Sequence, residues 1–98
     1  MISVIVIAKN EQDRIDVCLK SVKWADEIIV ADNGSTDKTM DIAKKYTDKI
    51  IEYKEQDFAT LRNKAIEKAI GDWVFYVDAD ERVLESLKEE ILKQVQDD

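Results

Sequence analysis

The sequence predicts a three-layer α/β/α domain built on a four-stranded parallel sheet. Three observations carry that prediction. Four short apolar runs alternate with segments of helical spacing in the order β-α-β-α-β-α-β-α. The first, second and fourth runs are continuously apolar, as in strands covered on both faces. Each intervening segment is helical, which makes the connections right-handed crossovers between parallel strands.

The first strand is expected over Val4-Ile5-Val6-Ile7. Ile15, Cys18, Leu19 and Val22 follow at i, i+3, i+4 and i+7, one face of a first helix, with Cys18 as inert core. The second strand is Glu27-Ile28-Ile29-Val30-Ala31, and Met40, Ala43 and Tyr46 line a short second helix. The third strand is Lys49-Ile50-Ile51-Glu52-Tyr53. A third helix is striped by Phe58, Leu61, Ala65, Ala69 and Ile70, with Asp57 as its N-cap and Gly71 as its C-terminal stop. The fourth strand is Trp73-Val74-Phe75-Tyr76-Val77, and Leu84, Leu87, Ile91 and Val95 stripe the last helix. Trp24 and Trp73 read as packing residues.

The 98 residues form one domain, 1–98, with no internal repeat or linker. Fifteen Lys+Arg against 22 Asp+Glu give a net charge of -7, which argues against a nucleic-acid or anionic-membrane binder. A single Cys and no His exclude an internal disulfide and a Cys/His zinc site, and remove the usual base of a triad hydrolase. No stretch approaches the ~18 apolar residues of a membrane span, and no basic segment precedes the first apolar run. The default reading is a reduced, cytoplasmic protein.

In a parallel sheet every strand-to-helix junction opens on the carboxyl edge, where ligands bind. Polar residues collect at those junctions: Lys9, Asn10 and Glu11; Asp32 to Asp37; Asp57 and Arg62; Asp78, Asp80, Glu81 and Arg82. The second of these loops, Asp32-Asn33-Gly34-Ser35-Thr36-Asp37, is also ordinary turn-and-cap vocabulary. Asp78-Ala79-Asp80 is sharper. Two carboxylates one residue apart after a buried strand repel each other unless a cation lies between them. In strand-like backbone both point to the same side, a set suited to a hard divalent ion with water and phosphate as its other ligands; the plain alternative is a solvated acidic turn. Arg62 falls within the apolar arc of the third helix. Either its guanidinium reaches the carboxyl edge to meet Asp32, Asp78 or a phosphate, or it snorkels on its aliphatic stem. Neither G-x-G-x-x-G nor G-x-x-x-x-G-K is present. A calcium loop starting at Asp78 fails at Val83, where glycine is required. A phosphoacceptor receiver domain would want an acidic pair after the first strand, where Asn10-Glu11 supplies one acid.

The residues resemble the donor-binding half of a family 2 glycosyltransferase of the GT-A fold. The likeness runs through Ser3–Glu11, Asp32-Asn33-Gly34-Ser35-Thr36-Asp37, Leu61-Arg62-Asn63-Lys64-Ala65 and Gly71–Glu81, with a flavour of bacterial lipopolysaccharide core glucosyltransferases. The resemblance implies strand order 3-2-1-4 in a truncated, Rossmann-like sheet, and a UDP-sugar donor. It implies that Ala8, Asn10 and Glu11 border the nucleotide, that Asp32 hydrogen-bonds the uracil ring, and that Arg62 closes the pocket or approaches the diphosphate. Asp78 would face ribose and metal, and Asp80 would ligate Mg²⁺ or Mn²⁺.

Only 18 residues follow Asp80, so the acceptor half and the general base expected from the resemblance have no counterpart. The chain therefore reads as a nucleotide-sugar-binding half-domain. Alternatives are a noncatalytic nucleotide-binding module and a self-assembling fragment. The fourth strand is expected to be an open apolar edge that pairs two copies into a homodimer.

Overall fold

The computed structural model describes residues 1–53 and 57–96. All eight expected elements form: β1 (Ile2–Ala8), α1 (Ile15–Ser21), β2 (Glu27–Asp32), α2 (Thr39–Ala43), β3 (Ile50–Glu52), α3 (Phe58–Lys68), β4 (Trp73–Asp78) and α4 (Glu85–Gln96). The sheet is parallel throughout, in the order β3-β2-β1-β4. This is the expected 3-2-1-4 arrangement. The strand order reverses at β1, which feeds β2 on one side and takes β4 on the other.

β1 is central, and all seven of its residues are buried. Its alternation divides the core into two layers. Val4, Val6 and Ala8 pack with Ile15, Cys18, Leu19 and Val22 of the α1 stripe, joined by Ala43 of α2 and Ile91, Leu92 and Val95 of α4. Ile5 and Ile7 point the other way, onto Leu61 and Ala65 of α3. Both tryptophans pack against the first layer, as expected.

Three details depart from the sequence reading. Arg62 is exposed rather than core-facing. It stands about 100° round the helix from Leu61, which with Ala65 sets the buried line, and that offset is enough to keep it out of the core layer. Ile70 is 64% exposed because α3 ends at Lys68 and the chain is already extended at Ala69; the side chain of Phe58 lies outside the described residues. In the last helix, Leu84 and Leu87 are exposed, and the core contact begins at Ile91. Leu84 precedes the helix.

Asp57 caps α3 as expected, accepting the Thr60 N–H at 2.7 Å. Gly71 serves a different purpose from the one expected. A Cβ there would meet Ser3 Oγ at 2.5 Å, Ser3 N at 2.8 Å and the Met1 carbonyl at 2.9 Å. Its missing side chain lets the α3–β4 connection press against the start of β1, where the Gly71 N–H donates to Ser3 Oγ at 2.9 Å.

Candidate functional site

The register sets the strand ends level. Ala8 pairs with Asp32 across β1–β2, and Ile7 pairs with Asp78 across β1–β4. Two neighbouring clefts open on this carboxyl edge. One, about 240 Å³, is lined by Ala8, Lys9, Glu11, Asn33, Asp78 and Asp80 among others. The second, about 360 Å³, is lined by Asp32, Gly34, Ser35 and Tyr53 among others. Of the six residues expected to border a nucleotide, Ala8, Glu11, Asp32 and Asp78 line these clefts.

The loops after β1 and β2 are joined by reciprocal hydrogen bonds. Asn10 donates its backbone N–H to Ser35 Oγ at 2.8 Å, and its Oδ1 accepts the Thr36 N–H at 2.8 Å. Asn10 has φ 53°, a left-handed conformation that asparagine tolerates better than most residues. Two positions on, Gln12 repeats the exchange. Its N–H donates to Asp37 Oδ2 at 3.2 Å and its Oε1 accepts the Lys38 N–H at 3.1 Å. Between them the Glu11 N–H reaches Thr39 Oγ1 at 2.9 Å. Asp32, 2% exposed, is held by the N–H of Ser35 at 2.9 Å and by its hydroxyl. The turn-and-cap reading of this loop is thus correct locally, and the same caps weld two loops into one wall. Glu11 forms an ion pair with Arg14 Nε at 2.9 Å.

After β4 the chain makes a tight turn. The Ala79 N–H donates to the Ile7 carbonyl at 3.0 Å and the Glu81 N–H to the Asp78 carbonyl at 2.9 Å. Ala79 is 1% exposed, while the aspartates on either side of it face solvent. Glu81 curls back so that its carboxylate accepts the Asp78 N–H at 3.0 Å. Carboxylate oxygens of Asp78, Asp80 and Glu81 all lie within 4.8 Å of one another. Partial burial and the charges of Glu81 and Asp80 push the Asp78 carboxyl above its ordinary range. Three hard oxygen donors in mutual repulsion form a set that fits Mg²⁺ or Mn²⁺. The sequence reading did not include Glu81 in this set; only the turn brings it there.

Behind the turn lies α1. The Cys18 thiol, buried and carried up to about 12 by burial and the charges of Glu81, Asp80 and Asp78, faces the Asp78 carbonyl at 3.6 Å. The expectation of an unreactive core cysteine holds. Arg62 stands apart, with its guanidinium 5.4 Å over the Tyr76 ring. That contact gives it a cation–π partner on β4.

The pattern for Glycosyl transferase family 2 matches residues 3–98. The chain belongs to that family. Among curated family relatives, it is 44% identical over 92 residues to the SPbeta prophage-derived glycosyltransferase SunS of Bacillus subtilis, covering 90% of this chain and 22% of SunS. Among solved structures, S. aureus TarS 1-349 superposes with a TM-score of 0.83 at 27% identity, covering 98% of this chain and 32% of that one. The same TarS protein has been solved in complex with UDP-GlcNAc, at a TM-score of 0.75 and 28% identity over 98% of this chain and 31% of that one. Glucosyl-3-phosphoglycerate synthase of Mycobacterium tuberculosis, solved with Mn²⁺ and UDP, shares the fold at a TM-score of 0.73 and 23% identity, covering 84% of this chain and 35% of that one. The chain spans about a fifth to a third of these glycosyltransferases.

Proposed function

We propose that this segment is the donor-binding part of a glycosyltransferase: it holds a UDP-sugar across the two carboxyl-edge clefts, with Mg²⁺ or Mn²⁺ at Asp78, Asp80 and Glu81. The observation that carries this reading is the carboxylate triplet, gathered within 4.8 Å at the mouth of the cleft that Ala8, Glu11 and Asn33 line. The TarS complex with UDP-GlcNAc and the glucosyl-3-phosphoglycerate synthase complex with UDP support the donor part of this reading. When bound, the ion neutralises charge on the departing diphosphate.

The chain's own residues do the rest. Asp80 is the most direct ligand, being exposed at the apex of the turn. Asp78, held by the Glu81 side chain, faces both metal and ribose. Asp32 sits at the end of β2 with a carboxylate already oriented by Ser35, ready to accept from the uracil N–H. Asn10, which ties the two loops together, braces the nucleotide wall, and Arg62, seated over Tyr76 on β4, is the residue to test for a contact with the diphosphate. Transfer of the hexosyl group further requires an acceptor site and a base to deprotonate the acceptor hydroxyl.

A second reading concerns assembly. β4 lies at one end of the four-stranded sheet, and its Tyr76 is 42% exposed. Two copies pairing β4 to β4 would cover both edges by one two-fold contact.

The deciding experiment is a calorimetric titration of UDP into the chain with and without Mn²⁺. Saturable binding that requires the ion supports the reading. No binding at millimolar UDP overturns it.

A further inference from the structure

The carboxylate loop is gripped at both ends by one turn of α1. At its start, the Cys18 thiol faces the Asp78 carbonyl at 3.6 Å. At its end, the Val83 N–H donates to Ser21 Oγ at 2.8 Å. The Ser21 hydroxyl is not free to turn away, because it donates in turn to the Cys18 carbonyl at 2.6 Å. That carbonyl belongs to the last turn of α1, where carbonyls have no partner within the helix. The Ser21 carbonyl is itself held by the Trp24 indole N–H at 2.7 Å, which pins the helix end against the core. Cys18 and Ser21 are three residues apart and therefore on one face. The loop they hold spans residues 78–83 and has few other anchors. Among the described residues, its other anchors are the β1–β4 pairing of Asp78 with Ile7, the Ala79 N–H bond to the Ile7 carbonyl, and the two bonds between Asp78 and Glu81.

We propose that Ser21, working with Cys18, is a positioning residue for the metal-binding carboxylates. Neither side chain reaches the ligand. Ser21 fixes Val83, and Cys18 faces the Asp78 carbonyl. The span between them then has one length, which keeps Asp80 and Glu81 turned toward Asp78. Without the Ser21 bond, the Val83 end of the loop is released, and only the Asp78–Glu81 turn opposes the mutual repulsion that spreads the three carboxylates. This role rests on the metal reading above, but the grip itself is measurable without any ion.

The test compares wild type, Ser21→Ala and Ser21→Thr by amide hydrogen exchange and by UDP titration with and without Mn²⁺. In Ser21→Ala the Val83 amide should exchange roughly three- to tenfold faster, the effect of one lost hydrogen bond, while Ile5 in the sheet is unchanged. The Mn²⁺-dependent gain in UDP affinity should fall by a similar factor, with metal-free UDP binding unaffected. Ser21→Thr, which keeps the hydroxyl, should restore both. Unchanged Val83 exchange overturns the proposal, and so does an equal loss of UDP affinity with and without the ion. If wild type shows no Mn²⁺ dependence at all, the metal reading fails; faster Val83 exchange in Ser21→Ala then still supports the grip.

Discussion

Asp80 contributes a carboxylate to the cluster and buries nothing, so its removal separates binding from folding. Asp80→Ala should abolish the Mn²⁺-dependent part of UDP affinity and leave stability within about 0.5 kcal/mol of wild type in urea denaturation. Gly71 is the opposite case. It lies far from the site, yet a single methyl group would collide with the backbone of Ser3 and Met1. Gly71→Ala should cost about 1–3 kcal/mol by the same measurement, with metal-dependent binding retained in the folded fraction. Arg62 differs from both: its cation–π contact is exposed, so Arg62→Ala should change stability by no more than about 1 kcal/mol. A marked loss of UDP affinity in that variant would place Arg62 at the diphosphate; none would confine it to packing on Tyr76.

Two elements of the fold are held by polar clasps rather than by apolar contact. At the carboxyl edge, the exchange between the β1–α1 and β2–α2 loops depends on Asn10 for both a left-handed backbone and an acceptor. Asn10→Ala should destabilise the protein by about 1–2 kcal/mol and weaken UDP binding in the presence and absence of metal alike. At the amino edge, Glu27 is 5% exposed and ties three elements to β2. Its carboxylate accepts from Ser3 Oγ of β1 at 2.6 Å and from the Ile70 N–H before β4 at 3.0 Å, and pairs with the Lys49 ammonium before β3. Burial pushes the Glu27 carboxyl up, but Lys49 and the donated hydrogen bonds outweigh it and hold the group below its ordinary value of 4.5. The sign follows from linkage: a depressed carboxyl contributes stability that is present above the ordinary value and lost as pH falls through the folded one. Glu27→Gln should lose about 1–2 kcal/mol at neutral pH, since Lys49 is half exposed, and its stability should fall less steeply than wild type below about pH 4.5. Asp78 works in the other direction. Its raised carboxyl contributes only at low pH, and that contribution disappears as pH rises through the folded value.

For the whole molecule the questions are assembly and charge. With a net charge of -7, two copies repel at long range, which opposes the proposed β4–β4 pairing. If β4 edges pair, sedimentation should show dimer growing with added salt as the repulsion is screened. A monomer at high micromolar concentration and moderate salt would rule the pairing out. No described helix is long and apolar enough to cross a membrane.

The order of elements, the parallel sheet and the residues at its carboxyl edge were legible in the sequence because each leaves a local mark. Continuous apolar runs signal strands covered on both faces, the Ile15–Cys18–Leu19–Val22 spacing signals one helical face, and Asp57 before a helix signals a cap. The D-x-D pair was visible for the same reason, since its meaning lies within three consecutive residues. What only the tertiary structure decided depends on groups distant in the chain. Glu81 joins the aspartates through a turn, Asn10 and Gln12 exchange bonds with residues some 25 positions away, and Gly71 is required by the approach of Ser3. Arg62 and Leu87 were misplaced because periodicity reports which residues share a face but not where the neighbouring layer ends. Hydrophobic pattern is a property of a segment, whereas hydrogen-bond partners and steric clearance are properties of pairs, and pairs exist only once the chain has closed on itself.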